Sequence, residues 1–160
     1  GFRSGWCVGP AEFADRLLPL AETMLFGNQP FIADMTAAAV SAPSPVAAGM
    51  AARFAARADL LHRRLDGVGG LRVHRPQAGM FALIDVRATG LGGEAFALDL
   101  LERTGVAVMP GESFGSALAG WVRVALTRSD AEMETAAQRI AAHVTRTVAE
   151  APASPASASV

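Results

Sequence analysis

The sequence predicts a mixed fold, α/β with α+β: a helix-rich first part holding one short strand, then a second part in which strands and helices alternate. Three observations lead there. Apolar residues at helical spacing dominate up to Leu65, Gly67-Val68-Gly69-Gly70 interrupts them, and from Leu71 onward short apolar runs read as strands around one amphipathic helix. The pattern places a first segment at 1–45, a linking helix at 46–65, a second domain at 66–148 and a disordered tail at 149–160.

In order, Trp6 to Val8 is an apolar run ended by Gly9-Pro10 and reads as a buried strand. Pro10 opens a helix with Phe13, Leu17, Leu18 and Leu20 as its apolar face and Glu12 and Asp15 in the first turn, where the helix dipole favours negative charge. Pro19 is expected to kink or stop it. Phe26 to Pro30 is loop chemistry, and an alanine-rich helix follows from Pro30 to Ser41, ending before Pro43 and Pro45. Val46 to Leu65 combines strong helix formers with Met50, Phe54, Leu61 and Leu65 on one side.

Beyond the glycines, strands are expected at Leu71–Arg75 and Met80–Val86, separated by a Pro-Gln-Ala-Gly turn. Glu94 to Thr104 is an amphipathic helix facing its core with Phe96, Ala97, Leu100 and Leu101, closed by Gly105. A short strand at Val106–Met109, a glycine-bounded loop from Pro110 to Gly115 and a strand at Trp121–Leu126 follow. Ser129 with Glu132 is a capping-box pattern for a last helix whose Met133, Ala137, Ile140, Val144 and Val148 recur on one face.

Composition narrows the function. A net charge of -1 gives no basic footprint for a nucleic-acid backbone, and no apolar run approaches the roughly 20 residues a bilayer span needs. One cysteine, Cys7, makes no intrachain disulfide and is expected in the core; the chain reads as cytoplasmic. All basic charge is arginine, so no side-chain amine exists for Schiff-base chemistry. The opening Gly-Phe-Arg-Ser-Gly-Trp reads as an internal cut.

Arg123 is the sharpest candidate. On the period of two it shares a face with Trp121 and Ala125, while Val122, Val124 and Leu126 point the other way, so the strand is apolar except for one guanidinium. Either that cation reaches water or an anion is brought to it. Arg3, beside Gly5, is a weaker candidate for gripping a phosphate. His62, His74 and His143 lack companions at metal-ligand spacing and read as surface or helix-face residues, and no metal site is expected. Asp99, Glu102 and Arg103 read as a polar helix face.

Gly-Phe-Arg-Ser-Gly-Trp-Cys-Val-Gly-Pro (1–10) resembles the segment that follows the Schiff-base lysine in class I/II aminotransferases, pyridoxal-phosphate enzymes of fold type I. Ala-Gly-Met-Phe-Ala-Leu-Ile-Asp (78–85), Gly-Val-Ala-Val-Met-Pro-Gly-Glu-Ser-Phe-Gly (105–115) and Trp-Val-Arg-Val-Ala-Leu (121–126) look like that family's C-terminal signatures, in the same order. Met24 to Gly27, Gly79 to Phe81 and Asp85 to Leu91 look most like bacterial arginine–pyruvate transaminases.

The resemblance implies that Arg3 holds the cofactor phosphate and Arg123 pairs with the substrate α-carboxylate. It implies that 1–45 ends a large α/β domain, that 46–65 runs between domains and that 66–148 is the small α+β domain. It also implies a homodimeric enzyme acting on amino acids and 2-oxo acids with pyridoxal 5'-phosphate, whose lysine lies upstream of Arg3, so that the chain alone is inactive. Two other readings share these anchors: a ligand-sensing aminotransferase-like domain of a transcription regulator, and a related pyridoxal-phosphate lyase or synthase.

Overall fold

The computed structural model describes residues 3–150; of the tail expected at 149–160, residues 149 and 150 instead close the last helix, and the rest, like Gly1 and Phe2, lies outside the described residues. The chain divides into two compact units, Gly1–Ala47 and Ala48–Val160.

The first unit holds helix α1 (Ala11–Leu25) and helix α2 (Pro30–Ser41). Both begin as expected, α1 behind Pro10 and α2 with Pro30 in its first turn, where a missing N–H costs nothing. Pro19 does not stop α1, which runs on to Leu25 and ends at Phe26 in the left-handed region. The helix loses one backbone bond at Pro19 and continues by those that follow. Trp6 to Val8 has no regular secondary structure and is exposed, rather than forming a buried strand. A strand needs a ladder partner, and none pairs with this run among the described residues. Cys7 is accordingly exposed instead of in a core.

The second unit is an antiparallel sheet packed on helices. Helix α3 (Pro45–Leu65) begins just ahead of it and delivers Ala58, Leu61 and Leu65 to the core. After a 3-10 turn at Val68–Gly70 come β1 (Arg72–His74), β2 (Phe81–Asp85), α4 (Gly93–Thr104), β3 (Met109–Pro110), β4 (Trp121–Ala125) and α5 (Asp130–Glu150). The sheet order is β1-β2-β4-β3, antiparallel throughout. Val73, Ala82, Ile84, Val122 and Val124 occupy one face, in a single cluster with Phe96 and Leu100 of α4 and Met133, Ala137, Ile140 and Val144 of α5. Arg57 fastens α3 to the start of α5, with Nε 2.6 Å from Asp130 and Nη1 2.8 Å from the Leu126 carbonyl.

Three expectations need correction here. The strand at Val106–Met109 shrinks to Met109–Pro110, because only those residues reach β4. Leu101 and Val148 lie at the rims of their apolar stripes and are exposed. His143 is buried, only 1% exposed, edge-on to Phe96 at 5.5 Å. It sits three residues after Ile140, on the stripe that α5 turns inward, and position outweighs its polar character.

Candidate functional site

Arg123 lies on the sheet face opposite the core. Register places it across from Leu83 on one side and Met109 on the other, with Phe81 one step along β2 against Ala125. Its guanidinium carbon is 4.0 Å from the centroid of Phe81 and 4.1 Å from that of Phe114, so two rings hold the planar group. Among the described residues no carboxylate pairs with it and no side chain or carbonyl accepts its N–H groups. The residue is half-buried. The guanidinium is held between two rings and half-buried, with its donors unpaired among the described residues, a planar fork whose geometry suits a carboxylate.

Phe114 is placed by the loop ahead of β4. Gly111–Phe114 forms a 3-10 turn, and Gly111 is packed so closely that a Cβ would collide with the Leu118 and Trp121 carbonyls. Glu112 Oε1 accepts the N–H groups of Gly93, the first residue of α4, and Gly120, just before β4, each at 2.9 Å. These backbone donors hold the Glu112 carboxyl below the usual carboxylate range, Gly120 most strongly. At the neighbouring edge Asp85 pairs with Arg87 at 2.5 Å, and Arg87 leans over Trp121. The Arg87 hydrogen bond keeps the Asp85 carboxyl low, against a smaller opposing effect of burial.

In the first unit Arg3 is exposed, with its backbone at φ 60°, a left-handed conformation uncommon outside glycine. The next residue is tethered: the Ser4 hydroxyl lies 2.8 Å from the Thr36 hydroxyl of α2 and 3.4 Å from the Asn28 amide. Arg3 has no ion-pair partner among the described residues. An exposed arginine next in sequence to an anchored hydroxyl offers donor types that suit a phosphate.

Both arginines stand out in the sequence as candidates; the contacts made around Arg123 do not. Phe81 meets the guanidinium only through the β2–β4 register, and Phe114 only through a turn that reads as generic Pro-Gly chemistry. Glu112 stands in the 105–115 signature, but its two ties are not readable there, since its partners lie 19 and 8 residues away.

The model of the family described as Aminotransferase class I and II matches residues 1–140. The arginine–pyruvate transaminase of Pseudomonas aeruginosa is 43% identical over 141 residues, 88% of this chain and 36% of that protein. An LL-diaminopimelate aminotransferase of Dehalococcoides mccartyi is 30% identical over the same shares of the two chains. Among solved structures, the aromatic aminotransferase of Pyrococcus horikoshii superposes with TM-score 0.57 at 29% identity, over 60% of this chain and 26% of that one. A PLP-bound protein of Clostridium difficile 630 superposes with TM-score 0.65 at 24% identity, over 86% and 36%. This chain belongs to the class I and II aminotransferase family, and it spans about a third of the length of the curated relatives it matches.

Proposed function

We propose that this chain is the C-terminal portion of a pyridoxal-phosphate aminotransferase that moves an amino group from an amino acid to a 2-oxo acid. The observation that carries the reading is Arg123, clamped between Phe81 and Phe114 with its donors open to a carboxylate. The cofactor, when bound, supplies the electron sink for bond changes at the amino acid's α-carbon. Arg3 and Ser4 are the residues here that suit its phosphate; Arg123 binds and orients the substrate carboxylate. The chain contains no lysine, so the amine that meets the cofactor aldehyde comes from another part of the longer protein, and the 160-residue chain alone is inactive.

The same reading takes 1–45 as the end of the large domain, 46–65 as the interdomain helix and 66–148 as the small domain, in a cytoplasmic homodimer. In keeping with that, no helix among the described residues is long and apolar enough to cross a membrane. Arginine with pyruvate, the pair in the name of the Pseudomonas aeruginosa relative, is the first pair to assay.

The test compares the two arginines in the full-length enzyme. Arg123→Lys keeps the charge and loses the fork, and Arg123→Ala leaves the carboxylate unpaired. Both should lower kcat/KM, with about 1.5 to 3 kcal/mol at stake for charge-assisted hydrogen bonds, while cofactor retention holds. Arg3→Ala should weaken cofactor retention first. Unchanged amino-acid kinetics in Arg123→Ala, or cofactor loss from Arg123→Ala and not from Arg3→Ala, would remove both assignments.

A further inference from the structure

Glu112 joins three pieces of backbone that the Arg123 clamp depends on. Gly93 opens α4, so its N–H has no acceptor within the helix, and Gly120 precedes the strand that bears Arg123. Both glycines are buried, whereas Glu112 lies at the surface, so its carboxylate reaches inward to N–H groups that would otherwise be stranded. The positive end of the α4 dipole favours an anion there. Two residues on, in the same 3-10 turn, Phe114 covers the guanidinium.

The close contacts leave the joint little freedom. A side chain at Gly93 would strike the Glu112 carboxylate and the Trp121 carbonyl, as one at Gly111 would strike the Leu118 and Trp121 carbonyls. With Glu112 in place the turn is tied to the backbone at Gly93 and at Gly120, just before β4. Without it, Gly93 and Gly120 lose their shared acceptor, and the turn keeps only local bonds such as the Gly115 N–H to the Glu112 carbonyl at 3.2 Å. One ring of the clamp is then unanchored, and the fork can rotate away from the pose that meets a carboxylate.

We propose that Glu112 is a positioning residue for substrate carboxylate binding: by tying the Gly93 and Gly120 N–H groups to one turn, it holds Phe114 over Arg123. The proposal rests on the reading of Arg123 as the carboxylate anchor. Glu112 touches neither Arg123 nor any reacting atom; it acts through Phe114.

The experiment is steady-state kinetics of the full-length holoenzyme bearing Glu112→Ala, Glu112→Gln, Phe114→Ala, Arg123→Ala and the Glu112→Ala/Phe114→Ala pair. Glu112→Ala is expected to raise the amino-acid KM several-fold with kcat little changed, the mark of lost binding common to ground and transition states. Glu112→Gln, whose amide oxygen still accepts both N–H groups, should recover most of the loss. In the Phe114→Ala background, Glu112→Ala should add nothing, because residues acting in series are not additive. If Glu112→Ala does not fold, Glu112→Asp, one methylene shorter, replaces it in every arm. A wild-type KM in the Glu112 variant, or a full additional effect on top of Phe114→Ala, overturns the proposal. Unchanged amino-acid kinetics in Arg123→Ala overturns the carboxylate reading beneath it, so the two failures are told apart.

Discussion

The two units treat apolar side chains in opposite ways. From Ala58 to Val144 the chain buries Phe96, Leu61, Leu65, Leu100, Ile140 and their neighbours in one cluster, whereas among the described residues ahead of Ala58 none is buried. Phe13, Leu18, Leu20, Met24, Phe31 and Met35 are all exposed, although they stand at helical spacing on α1 and α2. The hydrogen bonds differ in the same sense. Side-chain bonds within α1 and α2 are mostly four residues apart, as from Thr23 to the Pro19 carbonyl and from Ser41 to the Ala37 carbonyl. Those of the second unit include Arg57 to Asp130 across 73 residues. Helical periodicity suffices to make a helix; a core requires a second layer, which the second unit supplies with its own sheet.

The comparison can be broken most directly by truncating one phenylalanine in each unit. Phe96 is fully buried beneath α5, and Phe96→Ala should cost about 3 to 5 kcal/mol through lost burial and the cavity it leaves. Phe31 is exposed, and Phe31→Ala should stay within about 0.5 kcal/mol of wild type. Urea unfolding of the 160-residue chain in a Trp6→Phe background, read by Trp121 fluorescence, gives both values. Equal losses would show that the first unit buries Phe31 in solution.

Local signals were what the sequence carried best. Gly105 adopts φ 70° and donates its N–H to the Leu101 carbonyl, as a helix-terminating glycine does, and the alternation of β4 assigns Val122 and Val124 inward and Arg123 outward without any structure. Where a residue's fate depends on a distant segment, the sequence misleads or is silent. Trp6 to Val8 has strand composition and no ladder partner; Cys7 has a core residue's chemistry and no core around it. His143 is the instructive exception, because its place on the α5 stripe was readable and only its residue type argued for the surface. Arg123 announced itself as one cation in an apolar strand, yet its two rings and the Glu112 tie depend on register and loop closure.

His143 sharpens the comparison through pH. Burial lowers its pKa below the usual histidine value; Asp99 and Glu150 pull it upward, and Arg146 and Arg103 push it down. The ring nitrogens lack a well-aligned hydrogen bond, though Nε2 lies 3.3 Å from Asp99. The native state therefore holds a neutral ring while the unfolded chain takes up a proton below about pH 6.5. Unfolded molecules bind more protons there, so stability is full above that pH and falls as pH drops through the unfolded value toward the folded one. Denaturation midpoints from about pH 7.5 to 5.5 should fall more steeply for wild type than for His143→Leu. Parallel slopes would refute a neutral native ring.

The smallest effect separates the helix starts of the two units. At the head of α5, Glu132 Oε2 accepts the Ser129 N–H at 3.0 Å, and Ser129 Oγ accepts the Glu132 N–H at 3.3 Å, while α1 and α2 start at Pro10 and Gln29 with no side-chain cap. Ser129→Ala removes one acceptor and leaves the Glu132 arm in place, so it should cost about 1 kcal/mol in the second unit's unfolding transition. Ser129→Thr keeps a hydroxyl and should change little. Gln29→Asp adds a cap where none exists, yet a helix whose side chains join no core cannot pass that gain to the second unit. Hydrogen exchange should show slower amides at the start of α2 only, with the main transition unmoved. A shift of that transition by Gln29→Asp comparable to the Ser129→Ala loss would mean that the two units unfold as one.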